Sequence, residues 1–254
     1  MKLLALGNLD EEFDYVDKLP AVVEETDADG IAFTGNILSG EAREEEWNAA
    51  REEARHPDFE KRSVHREHSQ DVAVLERFLG ELGDLGVPSY VIPGKKDAPE
   101  RMFLQSMLNE EVVSSNVYMV HRSFAPTPAN YVVSGFGGEI TSNVRENQFL
   151  LKYPQWEAEF GLDFLRHQDE ELILLFNTPA GRKFARNEEG PGKAAVSSII
   201  KTYRPHFALC SHSGGEHGQL MVGRTIVAWP GPASEGRYAL MDTVQKEVRF
   251  GTMD

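Results

Sequence analysis

The feature that most constrains this 254-residue chain is a recurring local pattern, a short apolar run that stops at a polar or glycine-containing turn. Residues 3–6 run into Gly7-Asn8-Leu9-Asp10, and residues 30–33 run through Thr34 into Gly35-Asn36. Residues 89–92 stop at Pro93-Gly94-Lys95-Lys96-Asp97, residues 172–176 at Asn177-Thr178-Pro179, and residues 207–209 at Cys210-Ser211-His212-Ser213-Gly214-Gly215. Runs this short and this uniformly apolar read as buried strands. Between the first two, residues 10–25 place Phe13, Val16, Leu19, Val22 and Val23 at helical spacing, with Pro20 expected to break or bend the helix. A β-α-β beginning predicts an α/β architecture. Ligands of open α/β sheets bind at the carboxyl ends of strands, so these turns are the natural place for a site. A single polar turn after a strand is ordinary, and it is their order and content together that carry weight.

Further strands are expected at residues 131–133 and 225–228, and a terminal hairpin over 237–250. Helices are expected over 72–85, 154–167 and 193–203. Residues 41–70 are dense in charge, and Glu41-Ala42-Arg43-Glu44-Glu45-Glu46 and Arg51-Glu52-Glu53-Ala54-Arg55 alternate in a way that supports a solvated helical face. An interaction arm or a lid is the other reading of that stretch. His56, His65 and His68 fall within it and are expected at the surface.

A hydrophobic content of 41% is enough to bury a substantial core, and no repeat, low-complexity tract or linker interrupts it, so residues 1–254 are expected to form a single domain. The net charge of -15 and a pI near 5.0 argue against a broad basic surface for duplex nucleic acid, although a local positive pocket remains compatible with them. The lone Cys210 excludes an intramolecular disulfide and a Cys-rich zinc site, and a reducing cytoplasm is the simplest setting. No stretch approaches the roughly 20 apolar residues of a membrane span, so no membrane partner is expected. Homo-oligomer formation is left open.

The order of the turns resembles the calcineurin-like metallophosphoesterases. That family's signature runs Asp-x-His after the first strand, then Gly-Asp, then Gly-Asn-His-Asp/Glu, then a His ahead of a Pro, then Gly-His-x-His. The matching positions here are Asn8-Leu9-Asp10, Gly35-Asn36, Gly94-Lys95-Lys96-Asp97, Asn177-Thr178-Pro179 and Ser211-His212-Ser213-Gly214. Gly135-Phe136-Gly137-Gly138-Glu139-Ile140 resembles the family's central glycine-rich strand end, and Pro230-Gly231 followed by Gly236-Arg237-Tyr238-Ala239-Leu240 resembles its closing strands. The resemblance covers nearly the whole chain and implies a four-layer α-β-β-α sandwich with a site at the strand ends.

It also exposes a set of departures. Asn8 stands where the family has Asp, Asp10 where it has His, and Asn36 where it has the bridging Asp. Lys95 replaces the ligand Asn, Lys96 the catalytic His, and Asn177 the next ligand His. His212 is kept, and Gly214 replaces its partner. The changes agree physically. Two divalent ions compensate clustered carboxylates; without them such carboxylates repel, and exchange of Asp for Asn keeps the shape while removing the charge. A protonated lysine repels a cation and supplies positive charge of its own.

The expectation is therefore a fold relative without the two-metal centre and without a cofactor. It would bind a small anion or phosphate-containing ligand through Asn8, Asp10, Asn36, Lys95, Lys96, Asn177, His212 and Glu139. Capping of turns is the competing role for the asparagines, and a solvated turn the competing role for the lysines. Glu139 is a base or a partner of the lysines, and Arg182, Lys183 and Arg186 add charge to the same rim or form a plain loop. The first alternative is a metal-dependent phosphoesterase, with one Mn, Zn or Fe ion held by Asp10, His212 and His217, and Glu216 as an added candidate. The second is a protein-interaction module acting through residues 41–62.

Overall fold

The computed structural model describes residues 1–181, 190–211 and 216–253. In chain order, β1 (Lys2–Leu6), α1 (Leu19–Thr26), β2 (Gly30–Phe33), α2 (Glu41–Glu52), α3 (Arg62–Asp84), β3 (Ser89–Val91), α4 (Glu100–Val113) and β4 (Val117–Met119) make up the first half. β5 (Phe124–Pro126), β6 (Tyr131–Phe136), β7 (Glu139–Thr141), β8 (Lys152–Pro154), α5 (Gln155–Gly161), β9 (Glu171–Phe176), α6 (Pro191–Tyr203), β10 (Phe207–Cys210), β11 (Gly218–Val222), β12 (Thr225–Trp229), β13 (Arg237–Asp242) and β14 (Glu247–Thr252) follow. Two six-stranded sheets are ordered β14-β13-β1-β2-β3-β4 and β11-β12-β10-β9-β6-β5, and β7 and β8 form a separate parallel pair.

The side-chain alternation of the central strands explains why they are apolar throughout. In β1, Leu4 and Leu6 pack with Val22 of α1 and with Leu75, Phe78 and Leu79 of α3, while Leu3 and Ala5 face Leu175, Phe207 and Leu209 of the other sheet. In β9, Leu172, Leu174 and Phe176 pack with Ala195, Val196 and Ile199 of α6, and Ile173 and Leu175 turn to the interior between the sheets. A strand covered on both faces has no solvated side to give it polar alternation. The outcome is helices, sheet, sheet, helices: the four-layer sandwich that the resemblance implied.

Several boundaries differ from the sequence expectation. Residues 10–25 split into a 3₁₀ turn at Phe13–Lys18 and then α1, where Pro20 occupies the first turn and breaks nothing, because an N-terminal N–H has no helical partner to lose. Residues 154–167 likewise divide into α5 and a 3₁₀ turn at Asp163–His167. The helix expected at 72–85 begins ten residues earlier, at Arg62, because part of its buried face is Asp71, which a search for apolar periodicity passes over.

The charged stretch is the largest correction. It is not one solvated helix: α2 ends at Glu52, and its charges turn inward as well as out. Arg43 and Glu46 are buried. Arg43 pairs with Asp71 and, at 3.4 Å, with Glu67, and donates through Nη2 to the carbonyl of Lys96 at 3.2 Å. Glu46 accepts from Arg55, from Lys61 Nζ at 2.9 Å and from the Asp58 amide at 3.0 Å.

Candidate functional site

Five strand ends, from both sheets, meet in one place. After β1, the amides of Asn8, Leu9, Asp10 and Glu11 donate to the carbonyls of Gly35, Asn36 and Ile37 at 2.8–3.1 Å, so the loops after β1 and β2 are zipped together. Asn8, Asp10 and Asn36 take φ of 57°, 49° and 62°. Among residues with a Cβ, Asn and Asp tolerate this left-handed region best, so the turn geometry selects these residue types. The loop after β3 then closes on the second: a Cβ on Gly94 would lie 2.0 Å from the Asn36 nitrogen, so only glycine permits the approach.

Asp97 fixes that approach. It is fully buried, and its carboxylate accepts from the amides of Gly94 at 2.6 Å, Ile37 at 2.8 Å, Leu38 at 2.9 Å and Asn36 at 3.0 Å. Burial pushes the Asp97 carboxyl up to about 6, against the pull of those four donors. The motif Gly94-Lys95-Lys96-Asp97 contained this residue, yet nothing local marked it as the clasp between two loops 60 positions apart.

Side-chain amides continue the lacing. Asn36 Nδ2 donates to Asn8 Oδ1 at 3.0 Å, and Asn36 Oδ1 accepts from the Lys96 backbone N–H at 3.2 Å. Asn177, at the end of β9, accepts the Lys95 backbone N–H at 2.9 Å and donates through Nδ2 to the Thr34 carbonyl at 2.9 Å and to Ser211 Oγ at 3.3 Å. Ser211 and Thr34 share a hydroxyl contact of 2.8 Å. Thr34 and Ser211 were not singled out from the sequence, and only their position beside strand-end turns could have suggested them.

Both lysines are paired. Lys95 Nζ lies 2.5 Å from Glu44 Oε1 of α2 and 3.8 Å from Glu139 Oε2, which in turn lies 3.2 Å from Lys152 Nζ. Lys96 Nζ donates to Asp10 Oδ1 at 2.9 Å. Partial burial pulls the Lys96 ammonium down, but the hydrogen bond and charge of Asp10, with Glu44 and Glu41 behind it, prevail and hold it above its ordinary value. Glu44 was the partner that sequence reasoning missed, since nothing distinguishes it from the other acids of α2.

Beside these loops opens a cavity of about 420 Å³, lined by Asn8, Asn36, Lys95, Glu139, Asn177 and Ser211 and, on its far side, by Ile140, Pro179, Pro191 and Lys193 among others. Asp10 and Lys96 are not among the lining residues. His212 and Gly214, and the rim candidates Arg182, Lys183 and Arg186, lie outside the described residues. Glu216 and His217 are exposed, and the His217 ring stacks on Phe250 with centroids 4.6 Å apart.

The donor groups at the positions where the family resemblance implies a metal pair are engaged within the protein. Asn8 Oδ1, Asn36 Oδ1 and Asn177 Oδ1 each accept a hydrogen bond from within the protein, and Asp10 is engaged by an ammonium. Among the described residues no three His, Cys, Asp or Glu side chains gather as a ligand group. Among the described residues, amide oxygens already in use and two adjacent ammonium groups do not fit a two-metal centre.

A calcineurin-type sandwich with its strand-end loops gathered around one cavity is the class these features define. The model of the family described as "Metallophosphoesterase, calcineurin superfamily" matches residues 1–253, and the chain belongs to that family. A solved structure 35% identical in sequence is similar over 100% of this chain and 99% of its own, with a TM-score of 0.89. The protein TT1561 of Thermus thermophilus is 26% identical over 100% and 99% of the two chains, with a TM-score of 0.81. A dimetal phosphatase from Danio rerio, 9% identical over 100% and 99%, shares the fold with a TM-score of 0.61. No curated protein matches the chain. Among the described residues no helix is long and apolar enough to cross a membrane.

Proposed function

We propose that this chain is a non-hydrolytic member of its family that binds a small anion or phosphate-containing ligand in the strand-end cavity, with residues 1–254 acting as one domain. The observation that carries this reading is the internal use of the donor groups. At the positions where the resemblance implies metal ligands, Asn36 and Asn177 spend their oxygens on the backbone N–H groups of Lys96 and Lys95. Lys96 neutralises Asp10, the carboxylate that stands where the family has His. The same exchange that removes affinity for cations leaves Lys95 on the cavity wall, where an ammonium can hold an anionic oxygen.

The decisive experiment pairs two readouts on the full chain. Protein grown with added manganese, zinc and iron is analysed by elemental mass spectrometry, and inorganic phosphate is titrated into it by calorimetry. The expected result is substoichiometric metal in every medium together with saturable phosphate binding that EDTA does not alter. Stoichiometric metal, with phosphodiester hydrolysis that EDTA abolishes, would overturn the reading in favour of the rearranged one-metal phosphoesterase.

A further inference from the structure

We propose that Lys95 and Lys96, adjacent in sequence, have separate jobs: the anion is held between Lys95 and Lys193, and Lys96 positions the loop without touching the ligand. This rests on the anion-binding reading above and assigns its residues.

The cavity wall carries the first argument. Lys95 and Lys193 both line it, from the end of β3 and from the first turn of α6, whereas Lys96 and its partner Asp10 do not. Lys193 is exposed, and among the described residues it has no carboxylate within ion-pair distance. Among the described residues it is therefore a cation at the cavity whose charge is not already answered.

The second argument is what each lysine gives up to take a ligand. Glu139 stands opposite Lys152 in the β7–β8 register, and its Oε2 is nearer Lys152 Nζ, at 3.2 Å, than Lys95 Nζ, at 3.8 Å. An anion arriving at Lys95 can displace the more distant Glu139 and leave that carboxylate with a counter-ion, while the closer Glu44, at 2.5 Å, keeps its hydrogen bond to the ammonium. Lys96 offers no such exchange. Asp10 has Lys96 as its ion-pair partner among the described residues, at 2.9 Å, so an anion taking Lys96 would leave that half-exposed carboxylate to water alone, where Glu139 keeps Lys152. Glu139 thus acts as a competitor for Lys95 that an incoming anion pushes aside, and Lys96 stays where Asp10 and the Asn36 side chain hold it.

The test is calorimetric titration of inorganic phosphate into wild type and single variants, each checked for folding by circular dichroism and thermal melting. Lys193→Gln and Lys95→Gln are each expected to weaken phosphate by about tenfold or more, the loss of one charge-assisted contact. Lys96→Gln is expected to change affinity by no more than about twofold while lowering the melting temperature, and Glu139→Gln to tighten binding, since neutral Gln no longer competes for Lys95. If Lys96→Gln fails to fold, the double change Asp10→Asn with Lys96→Gln, which removes both charges together, takes its place. Loss of binding on changing Lys96, or unchanged binding on changing Lys193, would overturn the assignment while leaving anion binding intact. Absence of phosphate binding by the wild type would overturn both.

Discussion

Helix α2 sends charge in two directions. Arg43 points inward, is 0% exposed, and meets Asp71, itself 1% exposed, on α3. Glu44, the next residue, points to the strand-end loops and meets Lys95, and both of those side chains remain more than a quarter exposed. Each cluster pairs opposite charges across elements, but only one does so away from water. The physics differs accordingly. A buried pair whose partner is removed leaves an uncompensated charge in a poor solvent, whereas a half-exposed pair surrenders its charges to water at little cost. The closed cluster is suited to holding α2 and α3 against the sandwich, and the open one to exchanging partners.

That contrast can be broken or sharpened by substitution. Replacing Asp97, which belongs with the closed cluster by burial, removes the acceptor of four backbone N–H groups. At roughly 1–3 kcal/mol for each buried donor left unpaired, Asp97→Ala should cost about 4 kcal/mol or more in urea denaturation. Arg43→Met should follow at about 3–5 kcal/mol, because Asp71, whose carboxyl burial already pushes up to about 6, is left buried without its guanidinium. Both figures should vary little with added salt.

Glu46 sharpens the comparison through pH. Hydrogen bonds from Arg55, then Lys61, then the Asp58 amide hold its carboxyl near 2, below the ordinary value of 4.5. A carboxyl lowered by folding contributes stability above its unfolded value, and that stability drains away as pH falls from about 4.5 toward 2. Denaturation of wild type and Glu46→Gln should therefore differ most at neutral pH and converge in acid; a gap that widens in acid would reverse the assignment. The smallest effect belongs to the open cluster. Lys96→Met should cost about 1 kcal/mol or less, read from the urea midpoint, since Lys96 and Asp10 are 24% and 32% exposed. A loss equal to that of Arg43→Met would erase the distinction between the clusters.

Much of the architecture was legible locally. The strands at residues 3–6, 172–176 and 207–209 announce themselves because a strand covered on both faces must be apolar throughout, and the closing hairpin appears as β13 and β14 in antiparallel register. Helix α4 was not read from the sequence, for a physical reason: its buried face is only Phe103, Ser106 and Met107, while Leu108, Val112 and Val113 are exposed, so the apolar residues do not follow one stripe. Strands β4, β5, β7 and β8 are three residues each, too short for alternation to register. At the site, the turns at Asn8, Asn36, Lys95 and Asn177 were placed by their position after strands. The roles of Asp97 and Glu44 were not legible, because a buried clasp and a helix-surface acid look alike in one dimension.

The sequence by itself determined where strands end and which residue types stand there, because burial dictates apolar runs and left-handed turns select Asn, Asp and Gly. It also determined that amides and lysines occupy positions where the family resemblance implies metal ligands and the catalytic His. What only the tertiary structure decided is how those groups are spent. Lys95 finds Glu44 across 51 residues, Lys96 finds Asp10 across 86, and Asn177 finds the Thr34 carbonyl across 143. Hydrogen bonds and ion pairs act over a few ångströms of space whatever the separation along the chain, so the partner of each group, and with it the division between a closed cluster and an open one, exists only once the two sheets have brought their ends together.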